Sequence, residues 1–323
     1  MIINKRNRYL LSILSGILMT ISFPFTGSLT FLVFFSWIPL LMLEDIITSA
    51  RYRSGKVFIH AYITFFIYNI GTTWWIWNAS EGGAIMAFIF NALLMALAFQ
   101  FFHLTKKKIG SNYAFLSFIS FWTAFEYLHF RWELSWPWLS FGNYFSIAPS
   151  VVQWYSYTGV LGGTMWVLAS NFLGFQLFKS IFIKKISWKI EWKKTSGLAI
   201  ILVTPIIISL MQYSTYKETP KPIEVAILQP NIDPIHDKFT QPIDIQIKRL
   251  CNLADRTITP KTEIIIAPET AISQGFYEED VTLYPFYKQI RKRKKYWGET
   301  AFLTGASTAR FFEKRHSRAS LKL

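Results

Sequence analysis

The stretch Tyr9–Leu43, YLLSILSGILMTISFPFTGSLTFLVFFSWIPLLML, contains no charged residue. It is much longer than the roughly 20 apolar residues that carry one helix across a ~30 Å hydrocarbon core. Its middle, Phe23-Pro24-Phe25-Thr26-Gly27-Ser28, holds the two residue types that end helices and allow a tight return. The stretch therefore predicts a hairpin of two short spans. A cleaved signal peptide fits poorly, because a second span follows at once and no small-residue cleavage pattern separates them.

Further uncharged runs occupy Val57–Trp77, Ala84–Leu104, Ile109–Phe125, Val151–Phe178 and Gly197–Gln212, for seven crossings in all. Cytoplasmic loops are enriched in Lys and Arg. With the hairpin counted as two crossings, one side receives Lys5, Arg6 and Arg8, then Arg51, Arg53 and Lys56. The same side receives Lys106, Lys107 and Lys108, and then Lys179, Lys184, Lys185, Lys189, Lys193 and Lys194. The other side receives only Arg131 from the loops between spans. Counting the hairpin once would split the first two cationic groups between opposite faces, so seven spans is the consistent reading. The N-terminus is then cytoplasmic, and the chain beyond Tyr213 emerges on the far side, the periplasm in a double-membraned bacterium. Trp74, Trp75, Trp77, Trp132, Trp136, Trp138 and Trp154 cluster at the far-side ends of spans, where amphipathic rings settle among headgroups. The loop Arg131–Ser150 is denser in aromatics than a belt needs, and reads as a re-entrant or interfacial segment shaping an opening from the bilayer.

The whole composition agrees with a membrane protein. Of 323 residues, 52% are hydrophobic and 16% charged, with 34 Lys+Arg against 19 Asp+Glu and a mean hydropathy of +0.27. Soluble domains carry about 25% charged residues, so an ordinary cytosolic enzyme and a disordered chain are both excluded. The positive charge belongs to the membrane argument, and no nucleic-acid partner is expected. One cysteine, Cys251, excludes an intrachain disulfide. The histidines His60, His103, His129, His236 and His316 lack zinc-ligand spacing, and neither metal nor cofactor is expected.

After Tyr216 the pattern changes. Thr219-Pro220-Lys221-Pro222 reads as a stiff linker, Glu224–Gln229 as a strand, and Ile243–Thr257 as a helix with apolar residues at 3–4 spacing. Glu263–Ala267 is continuous in its apolar residues, as a strand buried on both faces is. Val281–Lys295 reads as a second helix and Ala301–Gly305 as a third strand. This alternation implies an α/β unit with crossover connections, too small to close both sheet faces. Residues 1–215 are thus read as the membrane domain and 216–323 as part of an extracytoplasmic α/β domain. The basic run Arg291–Lys295 reads as a solvated helix end or a patch against anionic lipid. Glu269, in Ala267-Pro268-Glu269-Thr270-Ala271, falls just past the carboxyl end of a strand, where open α/β sheets collect ligands. Partial desolvation there suits a carboxylate to general-base work. A capping or surface glutamate in a turn is the alternative.

Together these residues resemble apolipoprotein N-acyltransferase, the integral-membrane branch of the nitrilase (carbon–nitrogen hydrolase) superfamily. The resemblance rests on Phe23-Pro24-Phe25, on Phe121-Trp122 through Phe125-Glu126-Tyr127, and on Trp136-Pro137-Trp138-Leu139 with Gly142. It continues through Tyr157-Thr158-Gly159-Val160, Val225–Ile232 and Ile265–Ala271. It implies an αββα nitrilase-like domain outside the cytoplasm of a cell inner-membrane protein. An acyl chain would pass from a phospholipid to an enzyme cysteine as a thioester, and then to the α-amine of a lipoprotein's diacylglyceryl-cysteine. The family uses a Glu-Lys-Cys triad, in which glutamate takes the thiol proton and lysine stabilises the tetrahedral intermediate. Glu269 matches the glutamate. Phe239 matches an aromatic residue lining the family's site, and the loop Ser273–Asp280 one of its mobile arms. Trp138 and Glu126 are candidates for contacting substrate at the site's entrance.

The chain departs from the family where the lysine and cysteine fall. Both lie well beyond the glutamate, before an eighth span, whereas Cys251 precedes Glu269 on the buried side of a helix. Lys314 and Lys322 lie in a stretch without the family's lysine motif. The expectation is therefore an N-terminal portion of the enzyme, inactive alone, with a second chain as one source of the rest. A non-catalytic polytopic protein, transporter or scaffold, is the alternative of another class. A membrane-tethered amidase fits less well, since it needs no seven-span body.

Overall fold

The computed structural model describes residues 4–234 and 236–312, and the chain divides after Lys217 into two compact units. The first is helical: α1 (Lys5–Ser22), α2 (Ile38–Ser49), α3 (Gly55–Thr73), α4 (Glu81–Met86), α5 (Ala92–Ile109), α6 (Ala114–His129), α7 (Tyr155–Phe178) and α8 (Trp192–Thr215). A π-helical segment, Ala87–Asn91, joins α4 to α5. Four stretches are long and apolar enough to cross a membrane: Thr30–Ser49, Glu81–Ile109, Tyr155–Ile183 and Trp192–Thr215. Helices α1, α3 and α6 occupy the other three predicted spans. Three cations open α1, Lys56, His60 and Asn69 interrupt α3, and α6 is 16 residues long.

The hairpin forms where Pro24 and Gly27 place it. Its left-handed backbone falls on Phe25 (φ 66°) and Ser28 (φ 57°) rather than on the glycine. Gly27 serves by close approach instead, since a Cβ there would lie 2.2 Å from the Ile21 carbonyl oxygen. The second predicted span is not one continuous helix. A 3-10 turn, Thr30–Phe34, precedes α2, and the break frees backbone groups that hydrocarbon cannot solvate. Asn171 on α7 satisfies two of them, accepting from Trp37 N at 3.0 Å and donating to Val33 O at 2.8 Å. Ser15 on α1 donates to Ser36 O at 2.5 Å.

Aromatic rings fill the centre of this unit. Trp37 is fully buried and lies edge-on to Trp122 at 4.5 Å and to Phe118 at 5.2 Å, with Phe141 at 5.1 Å and Phe65 at 5.5 Å. Phe141 belongs to the loop expected to shape an opening. That loop instead enters the core as short 3-10 turns, with Leu139, Phe141, Tyr144 and Phe145 buried. Tyr144 donates to Met19 O at 3.0 Å, and Tyr155 donates to Gly142 O at 3.0 Å. Gly142 admits no side chain, since a Cβ would sit 2.0 Å from Val160 O. Gly142→Ala must push the loop off α7 and is expected to cost about 1–3 kcal/mol, as overpacking does, visible as a lower melting temperature of the detergent-solubilised protein.

Polar residues gather at the other end of the helices. Glu44 accepts from Lys106 at 2.5 Å and Thr48 at 2.9 Å, and meets His103 Nδ1 at 2.8 Å. Asp45 pairs with Lys179 at 2.6 Å. Arg8 and Lys56 both lie over the Tyr52 ring.

The second unit contains β1 (Glu224–Ile227), α9 (Ile243–Thr257), β2 (Thr262–Ile266), β3 (Ile272–Tyr277), α10 (Pro285–Lys294), β4 (Ala301–Leu303) and β5 (Ala306–Ala309). A parallel sheet runs in the order β1-β2-β4, and β3 pairs parallel with β5. Register aligns Ala226, Ile265 and Phe302 in one row, and these join the core with Leu250, Phe286 and Trp297 of the helical layer and its flank. The rows facing the other way are Val225-Ile264-Ala301 and Ile227-Ile266-Leu303. Ile264 and Ile266 are half-buried between Ile227 (73% exposed) and Leu303 (60%), so β2 is not buried on both faces as its apolar run suggested. Two further expectations are corrected. Residues 273–277 of the stretch read as a mobile arm belong to strand β3 (Ile272–Tyr277), anchored by buried Ile272 and Phe276. The second helix starts later, at Pro285, after a 3-10 turn over Glu278–Leu283, because proline is favoured in a helix's first turn. In the basic run, Arg293 pairs with Asp255, which also accepts from Trp297 Nε1 at 2.8 Å.

Candidate functional site

Glu269 sits in the turn Pro268–Ala271, which follows β2 at the carboxyl end of the central strand. Backbone bonds fix both flanks: Ala267 N to Leu303 O at 2.8 Å and Ile272 N to Gly305 O at 3.1 Å. Ala271 N closes the turn onto Pro268 O at 3.2 Å, and Thr270 takes a left-handed φ of 51°. Gly305 lies against this turn, where a Cβ would come within 2.6 Å of Thr270 N and 2.9 Å of Glu269 Cα. From the other side Lys238 Nζ donates to the Glu269 carbonyl at 3.3 Å. The backbone of Glu269 is held on two sides while its side chain is exposed. That corrects the expected partial desolvation: among the described residues, no segment covers the carboxylate. Phe239, next to Lys238, is 73% exposed and encloses nothing there.

Cys251 is 1% exposed in the core of this unit, on the inner face of α9. Burial pushes its thiol up to about 11, far from the range in which thiolates form readily near neutral pH. A maleimide is expected to leave Cys251 unmodified in the native protein and to label it fully once denaturant is added; mass spectrometry of the intact chain reads both states. Lys314 and Lys322 lie outside the described residues.

The two candidates in the membrane unit differ from each other. Trp138 is 56% exposed, edge-on to Trp75 at 5.9 Å, and remains available at the surface. Glu126 is 3% exposed, and both its oxygens are occupied. Oε1 accepts from Trp122 Nε1 at 2.8 Å and Phe141 N at 3.0 Å; Oε2 accepts from Ser140 and Thr164 hydroxyls, each at 2.6 Å. The expectation that Glu126 contacts substrate is therefore corrected. Its four protein partners leave it fastening the Trp-rich loop to α6 and α7. It is equally unsuited to a transported ion. Sequence reasoning passed over Lys238, Ser140, Thr164 and Gly305. Only Lys238 carried a local signal, its place beside Phe239.

Among the described residues, no group of three or more His, Cys, Asp or Glu is placed to hold a metal ion. The helices and the carboxylate-tipped parallel sheet define a helical membrane protein carrying a small α/β unit. Residues 15–173 match the model of the apolipoprotein N-acyltransferase N-terminal domain. Over 301 residues the chain is 28% identical to a curated apolipoprotein N-acyltransferase of Chlorobaculum tepidum, an alignment that covers 92% of this chain and 55% of the relative. Over these residues the chain is similar to apolipoprotein N-acyltransferases, and it spans about half the length of the curated relative it matches.

Proposed function

We propose that this chain provides the membrane body and the general-base glutamate of an apolipoprotein N-acyltransferase. The observation that carries the reading is Glu269 at the carboxyl end of β2, in a chain whose membrane unit matches the family. Glu269 takes the proton of a cysteine thiol, and the thiolate attacks an ester carbonyl of a phospholipid. The lysophospholipid leaves, and the α-amine of a diacylglyceryl-cysteine then displaces the thiol from the thioester. The thiol is not Cys251, whose burial forbids it. Thiol and lysine come from a further segment or a second chain, which also covers Glu269 and completes a nitrilase-like αββα domain on the bare sheet face.

The body crosses the inner membrane seven times, with the N-terminus cytoplasmic and the α/β unit periplasmic. The clustering of Arg8, Tyr52, Lys56, Glu44, Lys106 and Lys179 at one end of the helices supports this, since all fall on the side assigned to the cytoplasm. Residues 1–215 form the membrane domain, and 216–323 belong to the catalytic one. Trp138 lies where lipid substrates enter.

The test is reconstitution. The 323-residue chain, incubated with acyl-labelled phosphatidylethanolamine, is expected to form no thioester. Co-expression with a chain carrying the family's lysine and cysteine is expected to transfer label to the amine of a diacylglyceryl-cysteine peptide. A thioester on the chain alone that disappears in Cys251→Ser would overturn the reading, as would a complemented enzyme indifferent to Glu269.

A further inference from the structure

A second polar cluster lies beside Glu126 and takes no part in holding it. Asn91 at the end of the π-helical segment, His129 in the last turn of α6 and Trp136 in the loop line one small cavity, whose wall also includes Glu126 and Ser140, already bonded to each other. Asn91 and His129 are 6% and 7% exposed. Yet Asn91 Oδ1, Trp136 Nε1 and both ring nitrogens of His129 are buried with no hydrogen-bond partner among the described residues. Buried polar groups are nearly always bonded, so four such atoms on three residues that line a single cavity point to something that bonds them.

The amide orientations leave no ambiguity about which atom of Asn91 is left over. Asn69 donates its Nδ2 to Phe65 O at 2.7 Å, which turns its own Oδ1 toward Asn91. Asn91 answers with its Nδ2 at 2.7 Å, and its oxygen remains. Trp136 Nε1 only donates, Asn91 Oδ1 only accepts, and neutral His129 does one of each. That set complements a molecule with two donors and two acceptors. The cavity leaves about 10 Å³ for the centre of a water-sized molecule, close to the roughly 10–15 Å³ that one water requires. An acyl chain or a phospholipid headgroup does not fit.

We propose that this cavity is a built water site, which fastens the Trp136-Pro137-Trp138 loop to the end of α6 and to the π-helical segment. The π-helical turn, a local irregularity of the kind that often re-aims side chains at functional positions, delivers Asn91 to it. The water replaces direct side-chain bonds at little cost, and it supplements the Trp136 N–His129 O bond at 3.1 Å and the Glu126 bonds in holding the loop that carries exposed Trp138. This site stands whether or not Glu269 is the general base.

The test is a cryo-electron microscopy map of the full chain in lipid nanodiscs, at a resolution that shows ordered water. A compact peak within hydrogen-bond distance of at least two of Asn91 Oδ1, His129 and Trp136 Nε1 is expected. Absence of density, or an elongated feature continuing outward as lipid, overturns the proposal. Hydrogen exchange supplies the second readout. His129→Phe removes both ring nitrogens and is expected to raise amide exchange in residues 132–139 by about tenfold, while His129→Gln, which keeps a donor and an acceptor, stays near wild type. Equal exchange in all three proteins overturns the proposal. If His129→Phe fails to fold, Trp136→Phe removes only the indole N–H and is read in the same way.

Discussion

Glu126→Ala is expected to destabilise the membrane unit by about 3–5 kcal/mol, since it leaves several buried donors unsatisfied. The truncation deprives four buried donors of their acceptor at once: Trp122 Nε1, Phe141 N and the Ser140 and Thr164 hydroxyls. Each buried orphan costs roughly 1–3 kcal/mol, without strict additivity. At roughly 2–4 °C per kcal/mol for a unit of about 200 residues, the melting temperature falls by well over 5 °C. Glu126→Gln separates this account from a generic core lesion. Its carbonyl oxygen still serves the two obligate donors, the indole and the amide, which share Oε1. Its NH₂ then faces two hydroxyls, which are able to turn and accept. The glutamine variant is expected to lose less than half as much stability as the alanine one, and the exposed control Glu133→Ala almost none. Equal losses for Gln and Ala, measured by differential scanning fluorimetry in detergent, would reject the four-donor account.

Glu269→Gln is expected to lower acyl transfer by the complemented enzyme about 10²–10⁴-fold, the usual contribution of a positioned general base. That corresponds to roughly 3–5 kcal/mol of transition-state stabilisation. Because the side chain is exposed and its backbone is held by Lys238 and Gly305, stability is expected to change by no more than about 0.5 kcal/mol. The amide keeps the shape and removes only the ability to take a proton. Loss of thioester formation with unchanged melting is the expected pair of results. Retained activity would move the base elsewhere.

The helices of the membrane unit were legible because uncharged runs alternate with Lys and Arg clusters, and the hairpin because Pro24 and Gly27 interrupt one such run. Helix α9 was legible in full from its 3–4 spacing, and β2 from its isoleucines. What escaped depends on partners distant in sequence. The break before α2 survives because Asn171 reaches Trp37 from 134 residues away, and nothing near Trp37 announces it. Glu126 beside Tyr127 and His129 reads as interfacial until Ser140 and Thr164, 14 and 38 residues on, close around it. Strand β3 was hidden because Ser273-Gln274-Gly275 interrupts its two anchors, Ile272 and Phe276. At Glu269 the position was readable from the strand before it. Its exposure was not, because that depends on what other segments lie over the turn.

The two outward rows of the three-stranded sheet carry a practical consequence for anyone excising the α/β unit from residue 218 onward. Val225, Ile227 and Leu303 form a greasy panel, and among the described residues β1 and β4 are the outer strands on either side of β2. Such margins recruit other strands, and an apolar panel of this kind drives clumping. The fragment will need a mild detergent throughout purification, although none of its described helices is long and apolar enough to cross a bilayer.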